Sequence, residues 1–205
     1  MPSGLRVQVP PSAPIMLQTR GSKLAYLIGL AIGDGNLSNP NNRAVRLRIT
    51  CDNKYPKLRE KIFKTIQEIM PDNKVSVVVR KQNCCDISCY SNQWEKLLGW
   101  KAKGGPKHQQ KVHIPKWILD NKKFSIECLR GLIETDGSAY FDRDYKMVNF
   151  VTIIPNLVKD VMNIIKSLNF EANLYKIKTK SADKYTIRIS KKTNEFIKMI
   201  SLKKE

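Results

Sequence analysis

The sequence predicts an α+β protein of two pseudo-symmetric αββαββα repeats in tandem, with the first helices of the two repeats packed against each other. Three observations carry that expectation. The segment Leu27-Ile28-Gly29-Leu30-Ala31-Ile32-Gly33-Asp34-Gly35 matches Leu129-Arg130-Gly131-Leu132-Ile133-Glu134-Thr135-Asp136-Gly137, and Asp34 and Asp136 stand 102 residues apart. The same offset recurs where Arg48-Ile49-Thr50 meets Phe150-Val151-Thr152, and again where Trp94 to Lys101 meets Phe196 to Lys203. Between these anchors, hydrophobic periodicity and turn residues follow in one order in both copies.

The elements follow along the chain. Residues 1–21 form a tail, predicted to be disordered; Pro2, Pro10, Pro11 and Pro14 oppose a helix or a central strand there. The first repeat covers residues 22–100, a linker 101–122, and the second repeat 123–205. Each repeat opens with an apolar helix ending at Asp-Gly, where the glycine is expected in the left-handed conformation that terminates helices. A strand pair comes next, as in Arg46-Leu47-Arg48-Ile49-Thr50, whose polar and apolar residues alternate with a period of two. A helix follows near Tyr55–Met70 or Asn156–Leu168. Another strand pair lies within Val75–Ser91 or Asn173–Ser190, and a closing helix near Gln93–Leu98 or Asn194–Leu202. The linker begins with Lys-, Gly- and Gln-rich residues 101–111, and Ile114-Pro115-Lys116-Trp117 leads into the second apolar helix.

Composition narrows the function. Hydrophobic residues make up 41% of the 205, normal for a folded globular chain. The longest apolar stretch, Leu24–Ile32, is too short to span a bilayer, and the N-terminal residues lack a signal-peptide pattern. An intracellular protein, in cytoplasm or organelle, is expected. A formal charge of +19 opposes folding through self-repulsion and points to a polyanionic partner. The positive charge lies on strand-like segments rather than an amphipathic helix, which favours nucleic acid over an anionic membrane. Five cysteines form no zinc-type pair of CxxC motifs. Cys84, Cys85 and Cys89 with His108 and His113 have the chemistry for zinc, and also that of small reduced side chains in strands and loops.

The two nine-residue segments resemble the signature of the LAGLIDADG homing endonucleases, in the single-chain form with two motifs. Gly29 and Gly33 are spaced four apart on one helical face, as are Gly131 and Thr135, and small side chains there let two backbones approach closely. Packing about a pseudo-twofold axis then brings Asp34 and Asp136 together at the negative ends of two helix dipoles. At about 4 Å, two such charges repel by about 4 kcal/mol at an effective dielectric of 20, and a divalent cation offsets that.

The resemblance implies a monomeric, metal-dependent endonuclease that makes a double-strand break in a long duplex DNA target, with no protein partner and no membrane. Asp34 and Asp136 would be its catalytic metal ligands, helped by the carbonyls of Gly33 and Thr135. Mg²⁺ is the expected ion, in about two or three copies, with Mn²⁺ or Ca²⁺ able to substitute in binding. Family members often carry an acid where Glu134 stands, opposite Ile32 in the first copy, and it is not the metal ligand. They commonly place a polar residue after the strand threonine; here Cys51 and Ile153 stand there, so that role passes to Asp52 or weakens. The family's catalytic lysine, beyond each closing helix, falls on Lys101 and Lys203, with Lys103 a near competitor.

Alternation on the strands assigns the DNA-binding residues. They are Arg46 and Arg48; Ser76, Arg80 and Gln82; Ser88, beside Asp86 and Tyr90; and Lys176, Lys178, Lys180, Lys184 and Arg188, with Thr186 and Ser190 between. Two-stranded ribbons fit the major groove, so two sheets would form a saddle over the duplex. Two other functions fit the same scaffold: an intron RNA maturase, and a DNA-binding regulator that has lost the chemistry.

Overall fold

The computed structural model of the protein describes residues 15–180 and 182–202, so residues 1–14 of the predicted tail lie outside the described residues. The first repeat comprises α1 (Ile15–Ile32), β1 (Gly35–Ser38), β2 (Arg46–Asp52), α2 (Pro56–Ile69), β3 (Val75–Val79), β4 (Cys84–Tyr90) and α3 (Trp94–Leu98). A short helix, α4 (Lys116–Leu119), follows in the linker. The second repeat comprises α5 (Lys122–Asp136), β5 (Gly137–Asp142), β6 (Tyr145–Thr152), α6 (Pro155–Ser167), β7 (Asn173–Ile177), β8 (Lys184–Ile189) and α7 (Thr193–Ile200). The predicted αββαββα order holds in both copies. Two boundaries move: α1 begins at Ile15, inside the span assigned to the tail, and the linker contains a helix.

Local chemistry accounts for the element starts. Pro56 and Pro155 sit in the first turns of α2 and α6, where a missing N–H costs nothing and the fixed φ suits a helix. The side chain of Asn121 caps α5, accepting from the Phe124 N–H at 3.2 Å. Two four-stranded antiparallel sheets result, ordered β1-β2-β4-β3 and β5-β6-β8-β7. The apolar members of each alternation, such as Leu47, Ile49 and Ile87, or Val148, Phe150 and Ile187, are buried against the helices. The other face of each sheet is open. Among the described residues, no helix is long and apolar enough to cross a membrane.

The motif helices α1 and α5 make the central contact. A Cβ on Gly29 would overlap the carbonyl oxygen of Cys128, and one on Gly131 the carbonyl oxygen of Tyr26. Backbone therefore touches backbone, as the small-residue spacing predicts. The glycines after the aspartates act differently from the expectation. Gly137 is extended, with φ −98° and ψ 165°, and Gly35 is not among the positive-φ residues. α5 runs straight into β5, and α1 into β1 after two turn residues; the return is so tight that a Cβ on Gly137 would lie 2.6 Å from the Ile133 carbonyl oxygen and one on Gly35 2.4 Å from that of Ala31. Lack of a side chain, rather than left-handed backbone, is what these two positions require.

The strand register also differs by one residue from the offset read in the sequence. Gly35 pairs with Ile49, whereas Gly137 pairs with Phe150. Ile49 is thus equivalent to Phe150, Thr50 to Val151, Cys51 to Thr152 and Asp52 to Ile153. The cause is the first hairpin, where residues 39–45 connect β1 to β2. In the second, only Arg143 and Asp144 connect the strands, with Arg143 left-handed at φ 56°. Because side chains alternate with a period of two, one residue of slip exchanges the faces.

A buried polar contact fixes how α1, α2 and α5 meet. Glu134, 1% exposed, accepts a short hydrogen bond from the Tyr26 hydroxyl and bonds from Lys61 Nζ at 3.3 Å. Lys61 Nζ also lies 3.9 Å from the Tyr26 ring centroid. Burial holds the Lys61 ammonium below its ordinary pKa, and Glu134 opposes that.

The glycine contact yields a prediction of sign. Alanine normally stabilises a helix interior by about 1 kcal/mol over glycine, but overpacking against backbone that cannot retreat costs about 1–3 kcal/mol or more. Gly29→Ala should therefore lower the urea unfolding free energy by roughly 2 kcal/mol. An unchanged or higher value would contradict the backbone contact.

Candidate active site

The helix pair places both acids at one end of the molecule. Asp136 is the last residue of α5, and Asp34 follows the last turn of α1. Asp136 reaches across the pair, its Oδ2 lying 3.4 Å from where a Cβ on Gly33 would stand. Two cavities flank this junction. One, of about 470 Å³, is lined by Gly33, Asp136, Lys107, His108, Val151 and Ile153 among others. The second, of about 320 Å³, is lined by Thr135, Asp34, Thr50, Cys51, Asp52 and Lys54 among others. Each aspartate thus shares a cavity with the residue preceding the aspartate of the other motif. The four residues assigned from the sequence, Asp34, Asp136, Gly33 and Thr135, are brought together.

A cation from the linker already occupies this junction. Lys107 Nζ donates to the carbonyls of Ile32 at 2.6 Å and Ala31 at 3.3 Å, and to that of Gly33 in a short bond. These are the last carbonyls of α1, where the helix dipole is negative. Burial pushes the Lys107 ammonium below its usual pKa, while Asp136 and Asp34 act in the opposite direction. The linker is built to hold this residue. Glu95 accepts from the Ala102 N–H at 2.8 Å, and the Gln110 amide bonds the Lys101 N–H at 2.8 Å and the Gly105 carbonyl at 2.7 Å.

The donor set fits a hard divalent cation. It offers two carboxylates and the Gly33 carbonyl, an oxygen that already binds a positive charge. Among the described residues, no cluster of three His, Cys, Asp or Glu side chains converges. The remaining ligands of such an ion would be carbonyl, water or phosphate oxygens. The hydroxyl of Thr135 donates to Gly131 and Leu132 carbonyls at 2.9 and 3.0 Å, so Thr135's own carbonyl is its relevant donor. Cys85 and Cys89 of β4 are buried against the core, and burial pushes the Cys89 thiol up to about 11.

Of the lysines expected at the site, Lys101 is exposed on the rim and pairs with Glu95 at 3.3 Å. Lys103 donates to Asn42 at 2.7 Å, and Lys203 lies outside the described residues. Lys107 carried no sequence signal, because it falls between the copies, where repeat register assigns nothing. The position after the strand threonine also changes meaning. Cys51 and Thr152 are equivalent and buried; Thr50 and Asp52 on one side answer to Val151 and Ile153 on the other.

The open faces of the sheets rise from the same helix ends. On the first, Arg46, Arg48, Ser76 and Ser88 lie together, with Arg48 cross-strand from Ser88 and Ser88 from Ser76. Asp86 is at the centre of this face. It accepts from Thr50 at 2.9 Å and from Arg80 Nε at 2.6 Å, and Arg48 Nη1 is 3.8 Å away. Arg46 donates to Ser38 at 3.2 Å, and Gln82 is exposed in the turn after β3. On the second sheet, Lys184 and Arg188 share the open face with Asn149, Thr186, Tyr175 and Ile177. Lys176 does not. It lies on the opposite face, paired with Asp183 at 2.6 Å, because Tyr175 and Ile177 align with Thr186 and Lys184. Lys178 and Lys180 follow β7 in an exposed connection rather than continuing the strand.

Known proteins share this architecture. The family model described as a LAGLIDADG-like domain matches residues 123–199. No curated protein matches the chain. Among solved structures, a variant of the homing endonuclease I-DmoI in complex with its target DNA and Mg superposes with a TM-score of 0.67 at 18% identity, covering 90% of this chain and 98% of that one. I-DmoI in complex with DNA and Mn gives 0.65 at 18%, covering 91% and 98%. The N-terminal LAGLIDADG domain of WhiA gives 0.62 at 14%, covering 89% and 84%. At these identities the superpositions establish the fold. Residues 123–199 thus match a LAGLIDADG-like domain, and the described chain has the two-motif, pseudo-symmetric LAGLIDADG fold that it shares with I-DmoI.

Proposed function

We propose that this protein is a monomeric, site-specific endonuclease that makes a double-strand break in a long duplex DNA target by divalent-metal-dependent hydrolysis. The observation that carries this reading is the crosswise meeting of Asp34 and Asp136 at a helix junction whose carbonyls already hold the Lys107 ammonium. The charge of +19 and the open sheet faces support duplex DNA as the partner. The DNA- and metal-bound structures of I-DmoI, which shares this fold, support the same partner and ions.

A bound Mg²⁺, or Mn²⁺ in its place, would supply charge neutralisation and a water of lowered pKa. Asp34 and Asp136 fix where that charge sits. The arginines and lysines of the open faces hold the duplex by its phosphates and set its register over the junction. Lys107 keeps a positive charge between the two acids, in reach of a scissile phosphate placed over them. Its ammonium then has two uses: it steadies the end of α1 before DNA arrives and turns to donate to phosphate oxygen afterwards.

Two observations favour a second reading, a DNA-binding regulator without cleavage. Val151 and Ile153 line the Asp136 side, and Lys107 takes the Gly33 carbonyl that would ligate metal. Binding selection from a randomised duplex library, followed by incubation of the recovered duplexes with Mg²⁺, decides between them. The endonuclease cuts both strands; the regulator binds and leaves them whole.

Three outcomes are expected. Asp34→Asn and Asp136→Asn should each reduce double-strand cleavage by roughly 10²–10³-fold or more while binding survives, and full cutting by either would sink the assignment. If about 6–10 phosphates are neutralised, affinity should fall roughly 10³–10⁵-fold between 50 and 200 mM salt; a flat response would separate the charge from DNA binding. Lys107→Met removes the counter-charge from two acids at a helix C-terminus, so in EDTA it should melt roughly 2–8 °C lower. Ca²⁺ should then raise its melting temperature more than it raises that of the unaltered protein. Equal melting in EDTA and equal Ca²⁺ shifts would show that Lys107 does not fill a cation position.

A further inference from the structure

The open faces of the two sheets differ in chemistry. On the first, Arg46, Arg48, Arg80 and Asp86 are tied to one another or to Ser38 and Thr50, and the exposed apolar groups are fewer: Val78, opposite Asp86, and Tyr90, opposite Arg46. On the second, exposed apolar side chains predominate. Ile177 is 58% exposed, Tyr175 49% and Tyr140 36%. Strand pairing puts them on one face: Tyr140 opposite Met147, Tyr175 opposite Thr186, and Ile177 opposite Lys184. Single exposed apolar residues are ordinary, but a row on a sheet face set among cations marks a binding surface.

We propose that this face reads thymine methyl groups in the major groove, so that the half of the DNA target under β5–β8 carries thymine at the bases met by Tyr140, Met147, Tyr175 and Ile177. The proposal rests on the DNA-binding reading above and adds the chemistry of the sequence recognised. The C5 methyl of thymine is the only apolar group that the four base pairs present in the major groove. A protein partner fits this face less well, because Lys184 and Arg188 stand among the apolar groups. Lys184 also lines the cavity that holds Asp136, so the face runs into the candidate active site. Its polar members hold their neighbours in place: Asn149 Nδ2 donates to the Tyr140 hydroxyl at 3.0 Å, and Arg188 Nη2 pairs with Asp142 at 2.6 Å. Leu174 and Phe141, also exposed, point to the other face and take no part.

The test selects duplexes that the full chain binds from a randomised library in Ca²⁺, and then replaces thymine by deoxyuridine in each half of the recovered site. Deoxyuridine keeps every hydrogen-bonding group and lacks only the methyl. In one half, each replacement at a contacted base should weaken binding about fourfold, the worth of burying one methyl group. In the other half, where the open face offers only Val78 and Tyr90 among its arginines, fewer replacements should weaken binding. Ile177→Ser, an exposed change whose melting temperature serves as the folding control, should abolish the penalty at one or two of those bases and leave the rest. A recovered site that tolerates deoxyuridine throughout, or an Ile177→Ser protein with every penalty intact, overturns the thymine proposal and leaves DNA binding standing. Recovery of no preferred duplex overturns both.

Discussion

The approach of two helix backbones at Gly29 and Gly131 is the constraint on which the rest of the structure depends. Neither glycine can carry a side chain without striking a carbonyl of the partner helix. This closeness sets the pseudo-twofold axis, and the axis sets everything downstream. It brings two helix C-termini to one place, each ending in an aspartate. It also launches β1 and β5 from that place, so both sheets spread their open faces from the acids outward. The unfavourable part of the arrangement, two carboxylates at two negative dipole ends, is met by a half-buried lysine and fits a divalent ion. Beside the Asp34 cavity, Tyr26, Lys61 and Glu134 close the helix pair with a hydrogen-bonded contact, and removing Lys61 would leave Glu134 as a buried charge without its ion pair.

The frame is pseudo-symmetric, but its two halves are unlike. Thr50 and Asp52 line the Asp34 side; their equivalents on the Asp136 side are Val151 and Ile153. Lys107 binds the end of α1, and on the other side Lys54 is engaged with Asp52 at 3.3 Å. The open faces diverge as well, one centred on an Asp86–arginine network and the other on tyrosine, methionine and isoleucine. A pseudo-twofold candidate site therefore sits between open faces without twofold chemistry, which would suit the proposed target if its two halves differ in sequence.

Much of this was legible in the chain. The paired nonamers and their small residues located the helix contact and both acids, because spacing on a helix face follows directly from sequence. Strand alternation placed Arg46, Arg48, Ser76, Ser88, Lys184 and Arg188 on the open faces. The remainder depended on lengths and distant contacts that local patterns do not encode. The longer first hairpin shifted the register by one, so residue-by-residue transfer along the 102-residue offset misaligned Cys51 with Ile153. On β7, where every residue is exposed, periodicity had no buried face to choose, and Lys176 was assigned to the wrong side. Lys107 lies in a segment whose composition reads as linker, and only folding shows its ammonium at the helix end. The conformation of Gly35 and Gly137 was misjudged for a similar reason: the tight return of the chain, not a helix cap, excludes their side chains.

The central claim is that one cation-binding junction is built jointly by Asp34 and Asp136. Manganese bound to the protein–DNA complex, counted by electron paramagnetic resonance for the unaltered protein and for each Asp→Asn variant, tests it most directly. The structure predicts that either substitution alone removes at least one tightly bound ion. Full manganese occupancy in both variants would contradict it.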